Sequence, residues 1–156
     1  MKELNIYLES GIKGPRRRNG VVGYIIEWKT DRGPATLTKF EHVEDVAENR
    51  AVLCGLVAAL SRIKEKCILN IFTSSDYLYL GFEIEKRVEK WSANGWKTAN
   101  GTEVKNRDKW QETLDLLNGN MHFLRLNERN EYSEWLARET GKRQAAVQQE
   151  RREKDV

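Results

Sequence analysis

Residues 47–73 read AENRAVLCGLVAALSRIKEKCILNIFT, and they decide the architecture. In the first half Asn49, Leu53, Leu56, Val57, Leu60 and Lys64 trace a mostly apolar stripe at helical spacing. This predicts a helix over about residues 43–65. Glu44 and Asp45 suit its first turn, and Arg62, Lys64 and Lys66 suit its end, by the helix dipole. Ile68 to Thr73 is then a β-rich run. A strand reached through so long a crossover joins its sheet in parallel.

The chain upstream has a different rhythm. Leu4, Ile6 and Leu8 alternate with Asn5 and Tyr7, the pattern of a half-buried strand. Gly11 to Gly20 is a turn region. Val21 to Trp28 is apolar enough for a central strand, and Asp31–Arg32–Gly33–Pro34 is a turn before a third strand over residues 35–41. Links this short imply an antiparallel meander. Downstream, a helix is expected over 75–91, with Tyr77, Leu78, Leu80, Gly81 and Ile84 towards the core. A loop follows over 92–104, then a helix over 105–117, a strand over 121–126 and a last helix over about 128–139. The order β-β-β-α-β-α-α-β-α implies an α/β fold, a five-stranded mixed sheet flanked by helices.

One domain is expected over residues 1–141, followed by a charged tail over 142–156. That tail, KRQAAVQQERREKDV after Gly141, has almost no apolar side chains, so it should be a solvated helical extension or disordered. A hydrophobic fraction of 39% with 33% charge fits a globular chain, and no run approaches the roughly 18 apolar residues of a membrane span. The first residues, MKELNIYLESG, lack the apolar core of a signal peptide, so a cytoplasmic protein without a membrane partner is expected. Cys54 and Cys67 lack metal-ligand spacing and read as packed thiols. The net charge of +3 is too small for a uniformly basic nucleic-acid binder. Any such binding must use local patches.

Five stretches carry a family likeness: IYLESG, AENRAVLCGLVAAL, IFTSSDYLYLGF, GWKTANGTEVKNRDKW and NEYSEWLA. Together they resemble a type 1 ribonuclease H over about residues 3–139, and the element order is that of the ribonuclease H-like fold. The resemblance implies cleavage of the RNA strand of RNA–DNA hybrids by two metal ions held on four carboxylates. Two Mg²⁺ about 3.5–4 Å apart would activate water and stabilise the leaving oxygen, with strict demands on carboxylate position.

Here the four matching positions are Glu9, Val52, Ser74 and Glu134. Glu9 and Glu134 each stand where the family has an Asp, one methylene shorter. Val52 follows Asn49–Arg50–Ala51 where the family has a Glu. Ser74 lies between Thr73 and Ser75 where the family has an Asp. The family's His-containing loop before the last helix is also missing, since Leu126 runs straight into Asn127–Glu128–Arg129.

By the same resemblance, Trp91, Trp96, Lys97, Lys105 and Asn106 belong to a substrate-handling segment, with packing anchors as the plain alternative for Trp91, Trp96 and Trp110. Asn49 and Arg50 match a nucleic-acid-binding pair whose Asn helps read the hybrid's minor groove. Arg16 and Arg17 lie in the densest positive cluster and are further phosphate candidates, with a solvated basic loop as the plain alternative. Three readings follow. The first is a catalytically inactive domain that binds hybrid or duplex and needs no cofactor. The second is an active ribonuclease H whose Mg²⁺ or Mn²⁺ sits on a displaced cluster of Glu9, Glu48, Asp76 and Glu134; Glu48 lies one helical turn from Val52. Ordinary first-turn acids would explain Glu48 and Asp76 equally simply. The third is a protein-interaction domain with a protein partner and no nucleic-acid role.

Overall fold

The computed structural model describes residues 2–84, 87–97, 101, 104–118 and 120–154, without the side chains of 83, 84 and 87–89. Strands β1 (Lys2–Ser10), β2 (Arg18–Thr30) and β3 (Gly33–Val46) form the expected antiparallel meander. Strand β4 (Cys67–Thr73) pairs parallel to β1, and β5 (Met121–Leu126) parallel to β4, so the sheet runs β3-β2-β1-β4-β5. The crossover from β3 to β4 is helix α1 (Glu48–Leu60).

Strand β1 is covered on both faces, not one. Leu4, Ile6 and Leu8 enter the main core with α1, while Tyr7 points the other way and packs with Ile25 and Leu136. The cover on that second face is helix α5 (Glu131–Lys154). A Cβ at Gly55 would lie 2.5 Å from Val22 and 2.8 Å from Leu8, so the bare glycine lets α1 settle on the sheet.

Several expected boundaries need correction. Helix α1 starts at Glu48 because residues 43–46 prolong β3, with Val43 opposite Gly20 and Val46 opposite Arg18. Backbone pairing outweighs the helix-friendly acids Glu44 and Asp45. The buried face of α1 is also broader than the stripe and takes in Ala51, Val52 and Ala59. The helix expected over 75–91 is divided into α2 (Asp76–Tyr79), a π-helical turn (Leu80–Ile84) and α3 (Arg87–Ala93). The inward placement of the Ile84 side chain lies outside the described residues.

Helix α4 (Arg107–Leu117) packs on α1 through the fully buried Trp110, whose indole N–H donates to Tyr77 Oη at 2.7 Å. The last helix neither starts at 128 nor stops near 139. Asn130 and Ser133 cap it reciprocally: Ser133 N donates to Asn130 Oδ1 at 3.1 Å, and Asn130 N to Ser133 Oγ at 2.8 Å. From there α5 runs unbroken across the expected boundary at 141/142. Within the supposed tail, Gln144 is buried. Its Oε1 accepts from Val21 N at 2.9 Å, and its Nε2 donates to Asn19 O at 3.2 Å, beside the bulge that interrupts β2 between Arg18 and Gly20. Gly11 makes room for it, since a Cβ there would lie 2.7 Å from Gln144 Cβ. Among the described residues no helix is long and apolar enough to cross a membrane.

Candidate active site and nucleic-acid surface

Glu9 sits near the end of β1 and Ser74 just beyond β4. The parallel register sets Leu8 opposite Thr73, which brings the two positions side by side. Ser74 Oγ donates to Glu9 Oε2 at 3.0 Å. Glu9 is 8% exposed, and burial pushes its carboxyl above the usual value. The Lys13 ammonium, the Ser74 hydroxyl and Arg129 oppose that shift, while Glu48 adds to it. Lys13 Nζ lies 3.9 Å from Glu9 Oε2. Lys13, four residues after Glu9 in the basic cluster beside this turn, therefore attends the first carboxylate, and Arg129, distant in sequence, adds favourable charge.

The remaining positions do not complete a metal cage. Val52 is 3% exposed and belongs to the main core. Glu48 Oε1 accepts from Gly14 N at 2.9 Å, while its own N–H donates to Gly14 O, so it fastens the loop after β1. Asp76 is exposed and opens α2 after Ser75, whose side chain accepts from Leu78 N. Glu134 is exposed on α5, along a groove with Ile25, Thr36, Thr38 and Arg138. Among the described residues no three His, Cys, Asp or Glu side chains come together to hold a metal. The donor set therefore does not fit the two-metal arrangement, nor the displaced cluster of Glu9, Glu48, Asp76 and Glu134.

The substrate-handling segment divides into buried and exposed parts. Trp96 is 4% exposed and belongs to the core, its backbone in the left-handed region at φ 61°. Trp91 is half-buried, edge-on to Trp110. Both rings are packed as anchors of this segment. Lys97 and Lys105 are exposed. Thr98 and Ala99 lie outside the described residues.

Arg50, a nucleic-acid candidate by the resemblance, is engaged within the chain. Its Nη1 and Nη2 donate to the two Asp108 carboxylate oxygens at 2.8 and 2.6 Å, and Nη1 also to Asn106 Oδ1 at 3.3 Å. This fork joins α1 to the start of α4, and the Arg50 side chain holds the Asp108 carboxyl down at about 2. Asn49 is exposed one residue away. Arg17 Nη2 is paired with Asp45 at 2.9 Å, while Arg16 stands exposed beside it. Cys54 and Cys67 are free thiols, raised by burial.

A meander, a crossover helix and two added parallel strands, with Glu9, Val52, Ser74 and Glu134 at the matching positions, define a ribonuclease H-like domain. The chain belongs to the RNase H family, whose model matches residues 1–125. A ribonuclease H of Acetivibrio thermocellus is 37% identical over 125 residues, covering 80% of each chain. Two solved structures share the fold. LC9-RNase H1, described as a type 1 RNase H with the type 2 active-site motif, superposes with a TM-score of 0.70 at 20% identity over 92% of this chain and 74% of its own. A foamy viral protease-reverse transcriptase in complex with RNA/DNA hybrid superposes at 0.64 and 14% identity, over 93% of this chain and 19% of its own.

Proposed function

We propose that this domain binds RNA–DNA hybrid or duplex by its phosphate backbone and does not cleave it. The observation that carries this reading is the state of Glu9. Its carboxylate is buried, hydrogen-bonded by Ser74 and 3.9 Å from the Lys13 ammonium, while the second position is the core residue Val52. A cation beside one engaged carboxylate favours an anionic phosphate over a divalent cation. Relatives named ribonuclease H, and a fold neighbour solved with RNA/DNA hybrid, supply the ligand class.

A labelled hybrid incubated with Mg²⁺ or Mn²⁺ tests the first half, and no product is expected. Cleavage that disappears in Glu9→Ala would establish the active enzyme instead. A salt titration of binding tests the second half. Affinity that falls steeply with salt reports phosphate contacts, whereas no binding even at low salt leaves the protein-partner reading.

A further inference from the structure

Helix α5 outruns the sheet, and its last turns face the loop that opens β2 across a cleft of about 590 Å³. Arg16, Arg17 and Arg18 line one wall; Arg151, Arg152 and Lys154 line the other; Glu150 is the one acid in the lining. None of Glu9, Val52, Ser74 and Glu134 borders it. We propose that this cleft is a separate grip for the nucleic-acid phosphate backbone, formed jointly by the loop and the C-terminal turns of α5. The proposal rests on the nucleic-acid reading above; it takes up the phosphate candidates Arg16 and Arg17 and adds the C-terminal turns of α5, which that reading does not use.

Three observations support it. Arg17 is tied to Asp45, and Arg18 Nη2 donates to Lys13 O at 2.7 Å, so the loop wall is held in place. Among the described residues Arg16, Arg151, Arg152 and Lys154 make no ion pair, and in the lining they meet the single acid Glu150. Gln144 fixes the spacing of the walls, because its amide bonds Asn19 and Val21 one turn before Val147 enters the lining. The cleft is therefore set before any ligand arrives.

A helix dipole favours cations in the last turn of α5. It does not account for the arginines across the cleft: Arg17 is offset by Asp45, but Arg16 has no ion pair among the described residues and Glu150 is the one acid in the lining, so like charges still repel there. A polyanion removes that repulsion. From Val147 to Lys154 the helix rises about 10 Å at about 1.5 Å per residue, the span of about three phosphates of one strand at about 3.4 Å each. The lining is mostly cationic, with Asn19 and Gln148 as its neutral polar side chains, so the grip is expected to depend on charge far more than on base sequence.

The test compares the full chain with Arg151→Gln/Arg152→Gln/Lys154→Gln, and with Lys29→Gln/Arg32→Gln/Lys64→Gln, which removes three exposed cations elsewhere. Each is titrated with salt against a 20-base-pair duplex DNA and the matching hybrid (about two helical turns), after circular dichroism has confirmed an equal fold. The cleft variant is expected to flatten the log K against log salt slope on DNA by about 2.7, about 0.9 for each lost contact, and Arg16→Gln by about 0.9. The control triple keeps the parent slope. A cleft variant with the parent's slope, or a control that falls equally, overturns the cleft while the nucleic-acid reading stands. A parent protein that binds neither probe at low salt overturns both.

Discussion

The Glu9 carboxyl stands above its ordinary value because it is buried, although Lys13 and Ser74 pull against the shift. Folding therefore takes up a proton at this group. Its stabilising contribution is full below the unfolded value near about 4.3 and is lost as pH rises through the raised folded value. Glu9→Gln has no such loss, and its amide can still accept from Ser74. We predict that the variant matches the parent in urea unfolding near pH 4 and exceeds it at pH 7.5; an equal midpoint at pH 7.5 would show that the burial is inconsequential. Asp108 works in the opposite direction. Its carboxyl is held at about 2, so the contribution of its pair with Arg50 is present above the unfolded value and fades as pH falls towards 2. That pair is largely solvent-exposed, so a double-mutant cycle of Arg50→Ala and Asp108→Ala should give a coupling below about 1 kcal/mol. At Gln144, Leu substitution leaves the buried Val21 N–H and the Asn19 carbonyl without this partner. The expected cost in chemical denaturation is about 1–3 kcal/mol, against little change for Gln148→Leu.

At the scale of the element, α5 is two things in one helix. Residues 131–144 hold the second face of the sheet through Leu136, Thr140 and Gln144. Residues beyond 147 are charged, mostly exposed turns that face the loop before β2. Truncation after Gln148 is expected to leave the melting temperature close to the parent's, whereas truncation after Gly141 should lower it clearly, because it removes the Gln144 amide. Equal melting temperatures for the two would mean that the helix beyond 141 is an appendage. Much of this fold was legible in advance. The meander, the crossover and the two later strands followed from periodicity and from the length of residues 47–73. The edges of α1 and α5 did not, because they depend on distant partners. Val43 and Val46 remain in a strand because β2 pairs with them, and Gln144 belongs to the domain because a bulge in β2 has groups to satisfy.

For the whole molecule, the decisive variant places Glu9→Asp, Val52→Glu, Ser74→Asp and Glu134→Asp together in one chain. The proposed reading predicts metal-dependent hybrid cleavage by this variant and none by the parent. Val52→Glu alone puts an unpaired carboxylate at a position 3% exposed, and a loss of about 3 kcal/mol or more is expected in thermal or urea unfolding. In the fourfold variant added Mg²⁺ should recover part of that loss by binding the folded form. A fourfold variant that folds yet shows neither Mg²⁺ stabilisation nor cleavage would place the failure in the scaffold around the four positions.

The sequence alone determined the order of elements, the parallel crossover, and which residue types stand at the four carboxylate positions. Local periodicity and side-chain chemistry are written in consecutive residues and need no partner to be read. Only the tertiary structure decided what those residues do. It buried Trp96 and Val52 in the core, tied Arg50 to Asp108, joined Ser74 to Glu9, and gave Glu48 to the Gly14 loop. It also brought Arg16 and Arg152, 136 positions apart in the chain, to one cleft. Burial, pairing and shared charge arise between residues distant in sequence, and the folded chain alone sets those distances.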